Sequence, residues 1–186
     1  MAARAADQET AMNKNTILET FVFDRGYIGL VVDDIPEGRM TEMPGKVGTH
    51  PAWQLGHMAD TLDGCIKLLG GEGRFDEKWQ GKFGRDTVPV ADPKAYPSKS
   101  ELIDALDERR ETLVKVLKKT PDATFETELP LEEFRPFFPT IGRFLTFLLL
   151  SHEGMHCGQI AVWRKAAGLP QGLSRAEQLV AQPAGA

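Results

Sequence analysis

The sequence is poor in the features that usually assign a chain to a class at once. It carries only two cysteines in 186 residues, Cys65 and Cys157, and they form no CxxC pair. That is too few for the disulfide frame of a small secreted domain. Both read as reduced thiols within helical patterns, with a single disulfide as the alternative. Long apolar runs are missing too: Phe144 to Leu150 is the greasiest stretch and falls far short of the roughly 20 residues needed to span a bilayer. The opening MAARAADQETAMNKNT has no signal-peptide core. Positive charge is nowhere concentrated, and the formal net charge is -5, so no nucleic-acid partner is expected. These absences lead to the expectation of a cytoplasmic protein without membrane or nucleic-acid partners.

What remains is ordinary: 41% hydrophobic and 26% charged residues, enough chain for one domain with a single substantial core. Residues 1–186 read as one domain with an ordered core of about 13–170 and loose ends outside it. No internal repeat or low-complexity segment stands out.

Apolar periodicity predicts four helices. The first runs from about Thr16 to Val32 on Ile17, Phe21, Ile28 and Val31 or Val32, and Asp33-Asp34-Ile-Pro36-Glu-Gly38 stops it. The second opens at His50-Pro51, where proline suits the first helical position. It carries Trp53, His57, Thr61, Cys65 and Leu68 up to Gly70-Gly71. The third starts at the capping box Ser98-Lys-Ser-Glu101, buries Leu102, Leu106, Leu113 and Leu117, and turns Asp107-Glu-Arg-Arg-Glu111 to solvent. The fourth follows Pro139 with Thr140 as cap and ends at Gly168-Leu-Pro170. Between the second and third helices, residues 70–99 show no clear element, although Phe75, Trp79 and Phe83 recur every four residues as a short helix or packed flap would. A connection that long lets its flanking helices run parallel. A short extended piece is expected at Thr124 to Leu129. The expectation is therefore all-α, a four-helix bundle with a long crossover between helices 2 and 3.

The chemistry lies in the histidines. His152 and His156 are four residues apart, so on a helix turning about 100° per residue they share a face. That face also holds Ile141, Leu145, Leu148, Gln159 and Trp163. Buried imidazoles need partners, and this helix offers few: Ser151, Glu153 and Gln159. A metal ion satisfies both rings, since neutral imidazole is the commonest metal-binding side chain. His57, one turn beyond Trp53 on the second helix, would complete a three-histidine site with an open position, the pattern of a catalytic rather than a structural centre. Zinc, nickel or iron would each suit imidazole ligands. His50, at a helix start, reads as an exposed or capping residue, with an outer role at the site as the sharper alternative.

His152-Glu153-Gly-Met-His156 also spells HExxH, in which zinc proteases place two ligands and a general base. The extended motif fails, because Gln159 and Val162 occupy its glycine and third-histidine positions. Glu177 lies beyond the helix-breaking Gly168-Leu-Pro170. Glu153 turns about 100° from His152, which favours a salt bridge over a catalytic role and leaves it a weak candidate. Asp60 could orient His57 as an outer carboxylate or be solvated, and Gln159 could contact substrate or satisfy a buried group. Trp53 and Trp163 fit core packing. Cys157 faces away from its histidine neighbour.

The Trp53-Gln-Leu-Gly-His57-Met and His152-Glu-Gly-Met-His156-Cys-Gly-Gln159-Ile elements, in this order and separation, resemble the DinB/YfiT-like superfamily of bacterial metal-binding helical bundles. The resemblance spans roughly Thr16 to Leu169. It implies an up-down-down-up topology, a homodimer, and a divalent ion, most often zinc or nickel, on His57, His152 and His156. It also implies a small-molecule substrate. Characterised members include transferases and isomerases that use low-molecular-weight thiols such as mycothiol or bacillithiol; others have no established reaction. A metal-dependent hydrolase or thiol transferase is thus the leading expectation. A non-catalytic metal-binding or stress-response protein is the alternative, and an HExxH zinc protease comes third. Residues 70–99 match no functional subgroup.

Overall fold

The computed structural model describes residues 14–45, 47–172 and 174, and the elements among them are helical. They are α1 (Lys14–Val32), α2 (Pro51–Leu68), α3 (Glu77–Phe83), α4 (Lys99–Lys119), α5 (Asp122–Phe125), α6 (Ile141–Thr146) and α7 (Glu153–Ala166). A π-helical turn, Phe147–His152, joins α6 to α7 without a break. Among the described residues no strand forms, and no helix is long and apolar enough to cross a membrane.

Local chemistry starts each long element where expected. His50 accepts the Trp53 amide on Nδ1 ahead of Pro51 at the head of α2. Ser98 and Glu101 close a full capping box on α4, and Thr140 accepts the Arg143 amide at α6. The weak periodicity at 75–83 resolves as α3, capped by Asp76, with Phe75 stacked on Trp79 at 4.0 Å and Trp79 against Phe83 at 4.6 Å.

Packing pairs α2 with α4 and with α7, and α1 with α7. One cluster of buried side chains runs through them, including Phe21, Leu55, Ile66, Leu106, Leu113, Leu145 and Trp163. Each fully buried residue of this size stabilises by about 1.5–3 kcal/mol, whereas exposed pairs such as Lys115–Glu111 contribute about 0–1 kcal/mol. The apolar cluster holds the fold.

Three expectations need correcting. The piece at Thr124 to Leu129 is extended only in part: α5 takes Thr124 and Phe125, and Glu128 forms an antiparallel bridge with Thr140, flanked by the Leu129–Pro139 and Ile141–Thr127 backbone bonds. The stretch 107–111 is not wholly solvated, because Arg109 and Arg110 are buried. Arg109 reaches Asp63 on α2 at 2.8 Å, and Arg110 reaches Glu153 on α7. Charge pattern alone cannot tell a solvated guanidinium from one with a buried carboxylate opposite. The last helix is also not uniformly α.

That irregularity decides which side chains α7 turns inward. An i→i+5 turn adds a residue to the helical repeat, so the faces before and after it fall out of the register assumed from the sequence. The buried line runs Leu145, Leu149, Glu153, Ile160 and Trp163 rather than through Leu148, and Gln159 is exposed. His152 ends the π turn, half-buried at the edge of this line, while His156 is buried one turn on.

Candidate metal centre

The structure brings His57, His152 and His156 together. His57 Nε2 lies 3.4 Å from His152 Nε2, and His156 Nε2 lies 3.1 Å from the same atom. The three ligand atoms are all within 4.8 Å of one another. Two nitrogens bound tetrahedrally at 2.0–2.1 Å to one ion would sit about 3.3 Å apart. The two separations from His152 match.

Outer contacts dictate which nitrogens face inward. His57 Nδ1 is 2.6 Å from the Phe83 carbonyl. A carbonyl only accepts, so Nδ1 carries the proton and Nε2 is left a bare lone pair. His156 Nδ1 donates to Oε1 of Gln54 and, at 3.1 Å, to Oε1 of Gln159, which bares its Nε2 in the same way. Gln54 is held in turn, its amide nitrogen donating to Thr49 at 2.7 Å and to Gln159 at 2.8 Å. A proton on His152 Nε2 could satisfy one of its two neighbours at most. A cation satisfies all three, and so the donor set fits a metal ion.

Electrostatics point the same way. Burial lowers the pKa of His152 to about 4 and of His156 to about 3, with neighbouring rings adding to the effect. Burial also lowers His57 against the opposing pull of the Phe83 carbonyl. All three imidazoles are therefore neutral near pH 7, the state in which they ligate metals.

The packing under His57 depends on a glycine. Phe83 lies across α2 at Gly56, where an added Cβ would stand 2.2 Å from its ring. That close approach delivers the Phe83 carbonyl to His57. Trp53 covers the other side, its ring stacked on the His57 imidazole at 4.6 Å and 9°.

Next to the site lies a cavity of about 510 Å³ lined by His57 and His152, by Asp60, Thr61, Gly64 and Cys65 on α2, and by Phe134, Phe144 and Leu148. Asp60 faces this cavity, and burial raises its carboxyl above the usual range.

The chain matches the family model of the DinB superfamily over residues 21–160. The chain belongs to the DinB superfamily. No curated protein and no solved structure matches it.

Within this DinB protein the remaining candidate residues lie as follows. Glu153 is buried and pairs with Arg110, which also donates to the Phe21 carbonyl and stacks over the Phe21 ring at 3.9 Å. Burial pushes its carboxyl up to about 7 against the attraction of Arg110. His50 is fully buried rather than exposed; it caps α2, and its Nε2 lies 3.1 Å from the Val90 carbonyl. Trp163 is core, its indole donating to the Glu42 carbonyl at 2.6 Å. Cys157 and Cys65 are buried free thiols, each raised to about 12 by desolvation. Their high pKa values make them poor nucleophiles.

Two partners escaped the sequence reading. The acceptor for His57 is the Phe83 carbonyl rather than Asp60, and a backbone oxygen supplied by the end of α3 leaves no trace in residue type. Gln54 did leave one: a glutamine one helical turn before His57, on the same face, in a helix otherwise apolar there.

Proposed function

We propose that this protein is a metal-dependent enzyme that holds one divalent ion on His57, His152 and His156 and acts on a small molecule in the adjoining cavity. Zinc or nickel is the expected ion, with iron as the third choice. The reaction is a hydrolysis or the transfer of a low-molecular-weight thiol. The observation that carries this reading is the convergence of three neutral imidazole nitrogens beside a cavity that His57 and His152 both line. An ion held there lowers the pKa of a bound water or thiol and polarises a substrate oxygen. The chain supplies the rest. Phe83 and Gln54 fix the ring orientations, Phe134, Phe144 and Leu148 present an apolar wall, and Asp60 offers an acceptor on the cavity side.

The topology that best fits is an up-down-down-up four-helix bundle. Lys14 pairs with Asp122, Arg25 with Asp107, and Lys99 bonds the Asp33 carbonyl, as antiparallel α1 and α4 require. Arg164 meets Val31 and Asp34, as parallel α1 and α7 require. A homodimer is part of the same reading, and Met155 and Val162 leave an apolar strip on the outer side of α7.

A non-catalytic metal-binding protein is the second reading, since the same three rings would also tie α2 to α7 for stability. The protease reading is disfavoured by the ion pair of Glu153 with Arg110. Cobalt-substituted protein separates the first two. An enzyme with an open position should show a changed visible spectrum on adding a small thiol. A spectrum indifferent to thiols and to water-displacing anions would support the structural role.

A further inference from the structure

Three side chains from the cap and first two turns of α2 reach the end of α3 and the segment that follows it. His50 Nε2 lies 3.1 Å from the Val90 carbonyl, Trp53 Nε1 donates to Thr87 Oγ1 at 2.9 Å, and His57 Nδ1 donates to the Phe83 carbonyl at 2.6 Å. The loop is prepared for this. Thr87 Oγ1 is itself held by the Gly84 carbonyl at 2.8 Å. Phe83 is fully buried and lies against Gly56. Tyr96 closes the far end, with its ring against His50 at 4.7 Å and its hydroxyl accepting the Val90 amide at 3.0 Å.

Only the last of the three α2 residues is a proposed ligand. The other two hold the loop in the position from which its Phe83 carbonyl can choose the His57 tautomer. The same loop places Arg85 on the cavity wall, over the Phe134 ring at 5.0 Å. Ligand orientation and cavity shape thus depend on one segment.

We infer that residues 83–90 form a clamp that sets metal affinity: docked on α2, the segment locks His57 with Nε2 toward the ion, and Gly56 and Thr87 are its positioning residues. The inference rests on the three-histidine reading of the site. With the clamp lifted, the Phe83 carbonyl no longer selects the tautomer, and a proton on Nε2 would block ligation. Removing an outer partner of a metal-bound histidine commonly weakens binding about 10–100-fold.

The test uses the full chain. In metal-free protein, ¹H–¹⁵N correlation of the imidazoles should show His57 protonated on Nδ1, and in Gly56→Ala this fixed tautomer should give way to a mixture. Zinc affinity, measured by competition with a chelator, should fall about 10–100-fold in Gly56→Ala and several-fold in Thr87→Val. In the cobalt form the absorption bands should shift in both variants. Val88→Ala, at an exposed position in the same segment, should behave as wild type. Thr87→Val touches no histidine ligand, and the tautomer of the unaltered protein needs no variant, so misfolding of Gly56→Ala leaves the test intact. If the wild type binds zinc stoichiometrically while folded Thr87→Val keeps its affinity and bands, the clamp is wrong and the metal site stands. An Nε2-protonated His57 in the metal-free wild type also overturns the clamp. If the wild type binds no zinc, the underlying site fails.

Discussion

His57 Nε2 and His152 Nε2 stand 3.4 Å apart although their residues lie 95 positions apart in the chain, and each nitrogen belongs to a different packed helix. An ion bound there joins α2 to the end of the π turn and should stabilise the folded state by mass action. With zinc at about 100 times its dissociation constant the gain is about 2.7 kcal/mol. Thermal melts with zinc and after chelation should therefore differ by several degrees. The difference should vanish in His152→Ala.

Arg110 and Glu153 form the buried ion pair that couples α4 to α7. Removing one partner strands the other charge, at a cost of about 3–5 kcal/mol. Arg110→Ala should lose this much in urea unfolding. Arg110→Met combined with Glu153→Leu should recover most of it, because well-packed apolar replacements of such pairs are often neutral. Glu153→Gln should retain bound metal, which a protease-type assignment of Glu153 to substrate chemistry would not by itself contradict. The discriminating result is that any small-molecule activity also survives.

Acid should destabilise the metal-free protein as pH falls below 6.5. His50 and His152, at about 4, and His156, at about 3, lie below their ordinary value of 6.5. Between those limits the unfolded chain binds more protons, so the stability these groups contribute is full above 6.5 and is lost as pH falls. Glu153 runs the other way: raised from 4.5 to about 7, it favours the fold most below 4.5 and loses that contribution as pH rises through 7. The opposing trends overlap between 4.5 and 6.5, where three rings outweigh one carboxyl. Melting temperature should therefore fall across that window, and the ring contribution is spent as pH drops through 4 and then 3. Melts across the range, with His50→Asn as a variant lacking one of the titrating rings, measure this; a flat profile between 6.5 and 4.5 would contradict it.

Gly64 lines the cavity, and a Cβ added there meets nothing within 4 Å. Gly64→Leu should fill that space without reaching a ligand, and leucine is favoured over glycine in a helix by nearly 1 kcal/mol. Metal stoichiometry and stability should be kept or improved. The spectral response of the cobalt form to thiols, and turnover of any substrate, should be sharply reduced. An unchanged response would place the substrate elsewhere.

The three histidines were legible because metal ligation demands a residue type, and the helical repeat of His152 and His156 suggested a shared face. The caps at Ser98 and Thr140 were legible for the same reason, since a hydroxyl at a helix start has few other uses. The π turn was not: Phe147 to His152 has no residue that forbids an α-helix, and its register shift is a tertiary effect. Arg109 and Arg110 read as solvated because their carboxylates, on Asp63 and Glu153, come from other helices. His50 looked exposed because the loop that covers it, up to Val90, carries little periodicity. Long-range partners are the common factor in what was missed.

The most direct measurement is the metal content of untagged protein, by elemental analysis, for wild type and His57→Ala side by side. One equivalent of a divalent transition metal per wild-type chain is expected, and essentially none in His57→Ala, with the variant still folded. A wild-type protein without stoichiometric metal after exposure to zinc and nickel, or a His57→Ala variant that keeps its equivalent, would contradict it.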